Sequence, residues 1–181
     1  MPEPSSIYVV DYDPDWPRQA AVAIDALRAA APGLFVEVEH IGSTAVPGLA
    51  AKPVIDLMAA VHDLAHVRPH RSALARLGFR PHDNGMTDRL LFVRADRAAR
   101  SHILHVVSLE SWPARNQRIF RDHLRAHPED AARYARLKRA IAAAGTAPGG
   151  YARAKTALVQ ELTDRARARL GLPPEPVWEK R

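Results

Sequence analysis

The spacing of apolar and polar residues changes character near residue 110. Before that point, short apolar runs alternate with polar segments of strand and helix length; beyond it the spacing is almost wholly helical. Tyr8 to Asp11 is a short apolar piece. Asp13-Pro14-Asp15-Trp16-Pro17 then supplies capping carboxylates and early prolines that suit a helix start. Val22, Ile24, Leu27 and Ala30 give that helix an apolar face, and Pro32-Gly33 stops it at about Ala31. Phe35 to Ile41 alternates as a strand, with Glu39 and Ile41 on one side and Val38 and His40 on the other. Val54 to Val61, nearly all apolar and bounded by Pro53 and His62-Asp63, predicts a strand buried on both faces. Val67 to Leu77 predicts a helix ended by Gly78.

Three further strands are expected at Phe79 to His82, Arg89 to Arg94 and His102 to Leu109. A loop through Asn84-Gly85 joins the first two, and a polar turn from Asp96 to Arg100 joins the last two. Helices are expected at Pro113 to Ala126, Glu129 to Ala144 and, after a loop from Gly145 to Gly150, Tyr151 to Leu170. Pro128 falls at a first helical turn, where its missing N–H costs little. Pro173, Pro174 and Pro176 predict an extended, mobile tail. The expected architecture is α+β: a mixed β-sheet with flanking helices and a helical C-terminal half. One domain is expected over 1–170, sheet-rich to 110 and helical from 111, with the tail at 171–181.

Composition narrows the class without naming a function. The 181 residues are 47% hydrophobic and 25% charged, as in soluble globular proteins. The lack of cysteine removes disulfides and thiolate metal sites, and a cytoplasmic location is expected. No apolar run approaches the roughly 18 residues of a membrane span, and Met1 to Ser6 does not have the plan of a signal peptide. A net charge of +6 favours anionic partners such as nucleotides or phosphorylated metabolites, although an Arg- and Ala-rich composition bias accounts for the charge equally well. Nucleic acid is not expected, because the basic residues lack interleaved aromatics.

The chemistry concentrates between His40 and Met58. Gly42 permits a backbone conformation and a close approach that a side chain would block, and Ser43 can cap the next helical turn and leave N–H groups for a phosphate. About a dozen residues later, Asp56 stands on the apolar strand. A buried carboxylate needs a metal, a basic partner or N–H donors, so Asp56 is either a site residue or half of a structural pair. Gly-Ser, a spacer and then an acid resembles the active-site corner of nucleotidyltransferases, except that Met58 occupies the place of their second carboxylate. Met is a poor ligand for Mg²⁺.

His40 and His105 could complete the site with Asp56 as nitrogen and oxygen ligands for zinc or another divalent metal, and the same imidazoles could be structural. His102 differs from His105 by three, so both serve one site only if a bulge intervenes. Lys52, Arg94, Arg121 and Arg125 are candidates to neutralise an anion, against the alternative of solvated surface charge. Tyr134/Lys138 and Tyr151/Lys155 repeat the spacing Tyr-x-x-x-Lys, which puts a phenol and an ammonium on one helix face.

Several segments together resemble the GrpB family over about Tyr8 to Leu170. They are Tyr12-Asp13-Pro14-Asp15-Trp16, Glu39-His40-Ile41-Gly42-Ser43-Thr44, Val46-Pro47-Gly48-Leu49-Ala50-Ala51-Lys52-Pro53, Ile55-Asp56 and Leu104-His105-Val106-Val107. Further along come Phe120-Arg121-Asp122, Leu124-Arg125, His127-Pro128, Tyr134 with Leu137-Lys138, and Tyr151 with Lys155. His123 departs from the expected aromatic residue, and Ala147-Pro148-Gly149-Gly150 from a more polar approach to Tyr151. The resemblance implies a nucleotidyltransferase-like fold, in a family that also occurs fused to dephospho-CoA kinases, with an apolar residue at the Met58 position.

Two functions are expected. One is a divergent transferase acting on a nucleotide or phosphorylated small molecule. Asp56 and His105 would be catalytic, and Gly42, Ser43, Lys52, Arg121, Arg125, Tyr134, Lys138, Tyr151 and Lys155 would hold the ligand. Asp56, His40 and His105 would hold any Mg or Zn ion. The other is a module that binds such a ligand without turning it over.

Overall fold

Five strands make one mixed sheet in a computed structural model that describes residues 8–83, 85–96, 99–145 and 148–177. They are β1 (Glu37–Ile41), β2 (Ile55–Val61), β3 (Arg80–Pro81), β4 (Arg89–Asp96) and β5 (Ala99–Ser108), in the spatial order β1-β2-β5-β4-β3. The doubly apolar run is β2. It pairs antiparallel with β1 and parallel with β5, while β5 pairs antiparallel with β4 and β4 with β3.

Strand alternation sends successive side chains to opposite faces. Leu57, Ala59, Leu104, Val106 and Phe92 face one way, onto α1 (Trp16–Ala30) and α2 (Arg71–Arg76), with Leu27, Leu74 and Phe79 filling the layer. Ile41, Met58, Ala60 and Val107 face the other way and pack on Trp112. Fully burying one such side chain stabilises the fold by about 1.5–3 kcal/mol, so the central strands anchor both layers.

The helical half comprises α3 (Asn116–Ala126), α4 (Pro128–Ala143) and α5 (Pro148–Arg169). It buries Leu124, Tyr134, Leu158 and Leu162 against Val46 and Leu49, which lie in the segment between β1 and β2. That contact fixes the helices above the β1–β2 end of the sheet. An isolated bridge between Val10 and Ala51 ties the amino-terminal apolar piece to the same segment.

Several expectations are corrected by the structure. The helix expected from Val67 is a 3₁₀ segment, Leu64–His70, followed by the short α2. Pro69 interrupts the pattern there, and Asp63 caps the segment by accepting from the Ala65 N–H. The strand expected over 79–82 shrinks to two residues because Pro81 has no N–H to donate. The last helix begins at Pro148 rather than Tyr151. Asn84, part of the expected Asp96 to Arg100 turn, and part of the Gly145 to Gly150 loop lie outside the described residues.

The described part of the expected tail, residues 171–177, is tied to the helices. Gln160 donates to the Glu175 carbonyl and accepts from the Val177 N–H, both at 2.9 Å. The buried Arg167 donates to the Pro173 carbonyl, the Ala114 carbonyl and the Asn116 side chain. Among the described residues, no helix is long and apolar enough to cross a membrane.

Candidate functional site

At the mouth of the β1–β2 pair the chain turns through Gly42 into a single 3₁₀ turn, Ser43–Ala45. Gly42 has φ of 74°, and a Cβ there would stand 2.6 Å from Oδ2 of Asp56. Glycine therefore meets two needs at once, a left-handed backbone and direct contact with the carboxylate. The spacer after Ser43 forms one 3₁₀ turn in place of a longer helix, so its helix dipole is slight.

Asp56 shares its face with Met58 and with His105, which lies opposite Met58 in the parallel register. His105 Nε2 is 3.9 Å from Asp56 Oδ1, beyond a direct hydrogen bond. His105 Nδ1 is buried without a partner.

The register sends His40 to the opposite face, beside Leu57. His40 Nε2–H donates to Thr44 Oγ1 at 2.8 Å, and Thr44 in turn donates to the Val54 carbonyl. Burial, against the pull of Asp56, pushes the His40 imidazole down to about 4, so it is neutral at pH 7. His40 is thus a brace between the Gly-Ser turn and β2.

His102 faces the same way as His40, opposite Ile55, because the register from 102 to 108 runs without a bulge; the irregularity falls at Arg94/Ala95 instead. Arg94 donates to its Nε2 and Ser101 meets its Nδ1. Burial and then the Arg94 charge push His102 down to about 4.

The expected metal set of Asp56, His40 and His105 therefore does not assemble. No group of three His, Cys, Asp or Glu side chains able to hold a metal occurs among the described residues. Asp56 and His105 are the two members of the expected set that share a face.

Two cavities meet at Ser43, Asp56 and Lys155. The larger, about 320 Å³, lies between α3 and α5 and has Gly42, Asp56 and His105 on its floor. Its walls are mostly apolar, with Phe120 and Tyr134 packed edge to face at 5.3 Å. The smaller, about 170 Å³, is lined by Lys52, Arg100, Lys138, Tyr151 and Lys155.

Both Tyr-Lys pairs are realised as stacked contacts. Lys138 Nζ lies 4.5 Å from the Tyr134 ring centre, and Lys155 Nζ lies 4.5 Å from that of Tyr151. Lys138 is almost wholly buried and donates to the Ala50 carbonyl at 2.6 Å. Burial, reinforced by the charges of Lys155 and Arg139, pushes its ammonium down to about 7. Burial raises the Tyr151 phenol.

The arginines behave differently. Arg121 lines the larger cavity, but its guanidinium is engaged by Glu39, Asp122 and the His40 carbonyl. Burial opposes ionisation of Glu39, yet Arg118 and Arg121 outweigh it and hold its carboxyl below the ordinary range. Arg125 donates to the Ala45 carbonyl and lines neither cavity. Arg121 is thus paired with internal carboxylates, whereas Arg125 keeps its charge but lies outside both cavities.

The sequence pattern of the GrpB protein family matches residues 6–165. The chain belongs to the GrpB family. It is 35% identical over 170 residues to a UPF0157 protein of Halalkalibacterium halodurans, a match spanning 92% of this chain and 86% of that one. The crystal structure of a GrpB protein from Enterococcus faecalis has the same fold, with a TM-score of 0.83 at 28% identity over 91% of this chain and 99% of the other. The Cid1 poly(U) polymerase, solved with MgGTP, overlaps 73% of this chain and 43% of its own, with a TM-score of 0.46 at 14% identity. That likeness is too distant to bear on chemistry.

Within this GrpB chain the sequence pattern missed Gln117, Thr156 and Arg100 as lining residues. A signal existed for two of them. Gln117, Phe120, Arg121 and Leu124 on α3, and Ala152, Lys155, Thr156 and Val159 on α5, share the spacing i, i+3, i+4, i+7 of one helix face. Reading those stripes as facing walls requires the α3–α5 packing, which spacing alone does not supply.

Proposed function

We propose that the joined cavities bind a nucleotide or other phosphorylated small molecule and that the protein is a divergent transferase acting on it. The carrying observation is the division of the cleft at Asp56: an apolar, aromatic-walled chamber on one side and a chamber lined by Lys52, Arg100, Lys138 and Lys155 on the other. A ligand with a flat apolar body and an anionic end matches that division. Lys52 and Lys155 have no ion-pair partner among the described residues, so their charge is available to phosphate oxygens. Asp56 and His105 flank the junction; an acceptor hydroxyl within hydrogen-bond reach of Asp56 would pass its proton to that carboxylate as its oxygen bonds to the transferred phosphorus and the phosphorus–oxygen bond to the departing phosphate or pyrophosphate breaks.

Met58 favours a second reading, a binding module without turnover. It is wholly buried against Ile41 and Trp112, so the wall beside Asp56 offers packing in place of a second carboxylate.

Thermal-shift screening of nucleoside triphosphates, CoA precursors and sugar phosphates, with and without Mg²⁺, tests the binding claim in wild type and Asp56→Ala. A ligand that stabilises the wild type and is consumed on incubation supports the transferase. A ligand that stabilises both proteins equally removes Asp56 from the site, and stabilisation without consumption favours the binding module.

A further inference from the structure

Three buried side-chain polar atoms among the described residues lack a hydrogen-bond partner: His105 Nδ1, Gln117 Oε1 and Thr163 Oγ1. The first two line the same cavity. Buried polar groups are paired in the great majority of cases, and those left unpaired in a binding cavity point to what the cavity receives.

Gln117 sits at the first turn of α3, at the head of the stripe it shares with Phe120, Arg121 and Leu124. The other polar member of that stripe, Arg121, is engaged by Glu39 and the His40 carbonyl. On the facing stripe Thr156 donates to the Ala152 carbonyl. The Gln117 carbonyl is therefore a buried acceptor of this wall that still lacks a partner among the described residues, and the residue stands among aromatic and aliphatic side chains that would cover a flat ring.

We propose that Gln117 determines ligand specificity by pairing with the edge of a nucleobase held in this chamber. A primary amide carries a donor and an acceptor side by side, the pattern that Gln uses on the amino and ring-nitrogen edge of adenine. Turned either way, it meets a heterocycle that offers the complementary pair. This specificity rests on the reading of the cleft as a phosphorylated-ligand site, and it selects nucleotides from that class over sugar phosphates.

Calorimetric titration with ATP, GTP, CTP, UTP, inorganic triphosphate and ribose 5-phosphate separates the two claims. At least one nucleotide should bind the wild type roughly tenfold or more tightly than inorganic triphosphate of similar charge. Gln117→Leu should abolish that margin while leaving triphosphate binding unchanged. The ligand-free Gln117→Leu protein should melt no lower than wild type, because a buried unpaired carbonyl has been removed; Gln117→Met provides the same test with an unbranched side chain. Nucleotides that bind both variants as they bind wild type overturn the proposal. So does triphosphate binding as tightly as every nucleotide; if that binding is lost in Lys155→Ala, the phosphate site stands and the base-reading role falls. Failure of all six compounds to bind overturns both.

Discussion

A methyl group at Gly42 would reach 2.6 Å from Asp56 Oδ2 while its backbone held a φ of 74°. Gly42→Ala should lose about 1–2 kcal/mol from the backbone conformation alone, measurable by urea denaturation. It should also lose ligand affinity beyond that effect, because the displaced carboxylate is the junction of the two chambers. Lys138 allows a second residue-level test. Its ammonium is pushed down to about 7, so between that pH and the ordinary lysine range the unfolded chain holds a proton that the folded chain does not. Stability should therefore rise with pH through this window. The cost is fully present below pH 7 and is relieved above it. Lys138→Met should remove the rise, narrowing its stability advantage over wild type by ~2–3 kcal/mol between pH 6 and pH 9, as read from melting curves. A pH profile unaltered by the substitution would mean that Lys138 remains charged throughout.

At the scale of elements, legibility depends on how strongly local pattern decides structure. β2 is readable because its apolar run is too short for a helix and is bounded by Pro53 and His62-Asp63, and α4 because Pro128 marks its first turn. The opposed faces of His102 and His105 come directly from strand alternation, and the same rule separates His40 from Asp56 once β1 is in register. The tail is harder to read, since three prolines resist regular structure but say nothing of tertiary anchors. Arg167 binds the tail and the α3 entry through the Pro173 and Ala114 carbonyls and Asn116. Arg167→Ala should cost about 1–3 kcal/mol by leaving the buried Asn116 side chain unpaired and releasing the two carbonyls. It should also hasten cleavage of the tail in limited proteolysis. An unchanged cleavage rate would show that the tail is held without it.

Across the whole molecule, charge available to a ligand differs from charge carried by the sequence. Arg121 and Arg125 are reasonable candidates from their helical spacing, but Arg121 is paired with Glu39 and Arg125 turns to the Ala45 carbonyl outside both cavities. Glu39, 82 residues before Arg121 in the chain, cannot be recognised as its partner without the fold. What reaches the cleft with its charge unpaired among the described residues is instead Lys52, from the loop before β2, and Lys155, from α5. The Gly-Ser turn and Asp56 are legible because they lie close in sequence, whereas the aromatic chamber depends on α3 packing against α5. The sharpest test of the cleft as a phosphate-binding site is calorimetric titration of wild type and Lys155→Ala with nucleoside triphosphates and sugar phosphates at two salt concentrations. The expected result is saturable 1:1 binding by at least one compound, weakened by salt and largely lost in Lys155→Ala. Binding indifferent to that substitution, or no saturable binding by any phosphorylated compound, would contradict it.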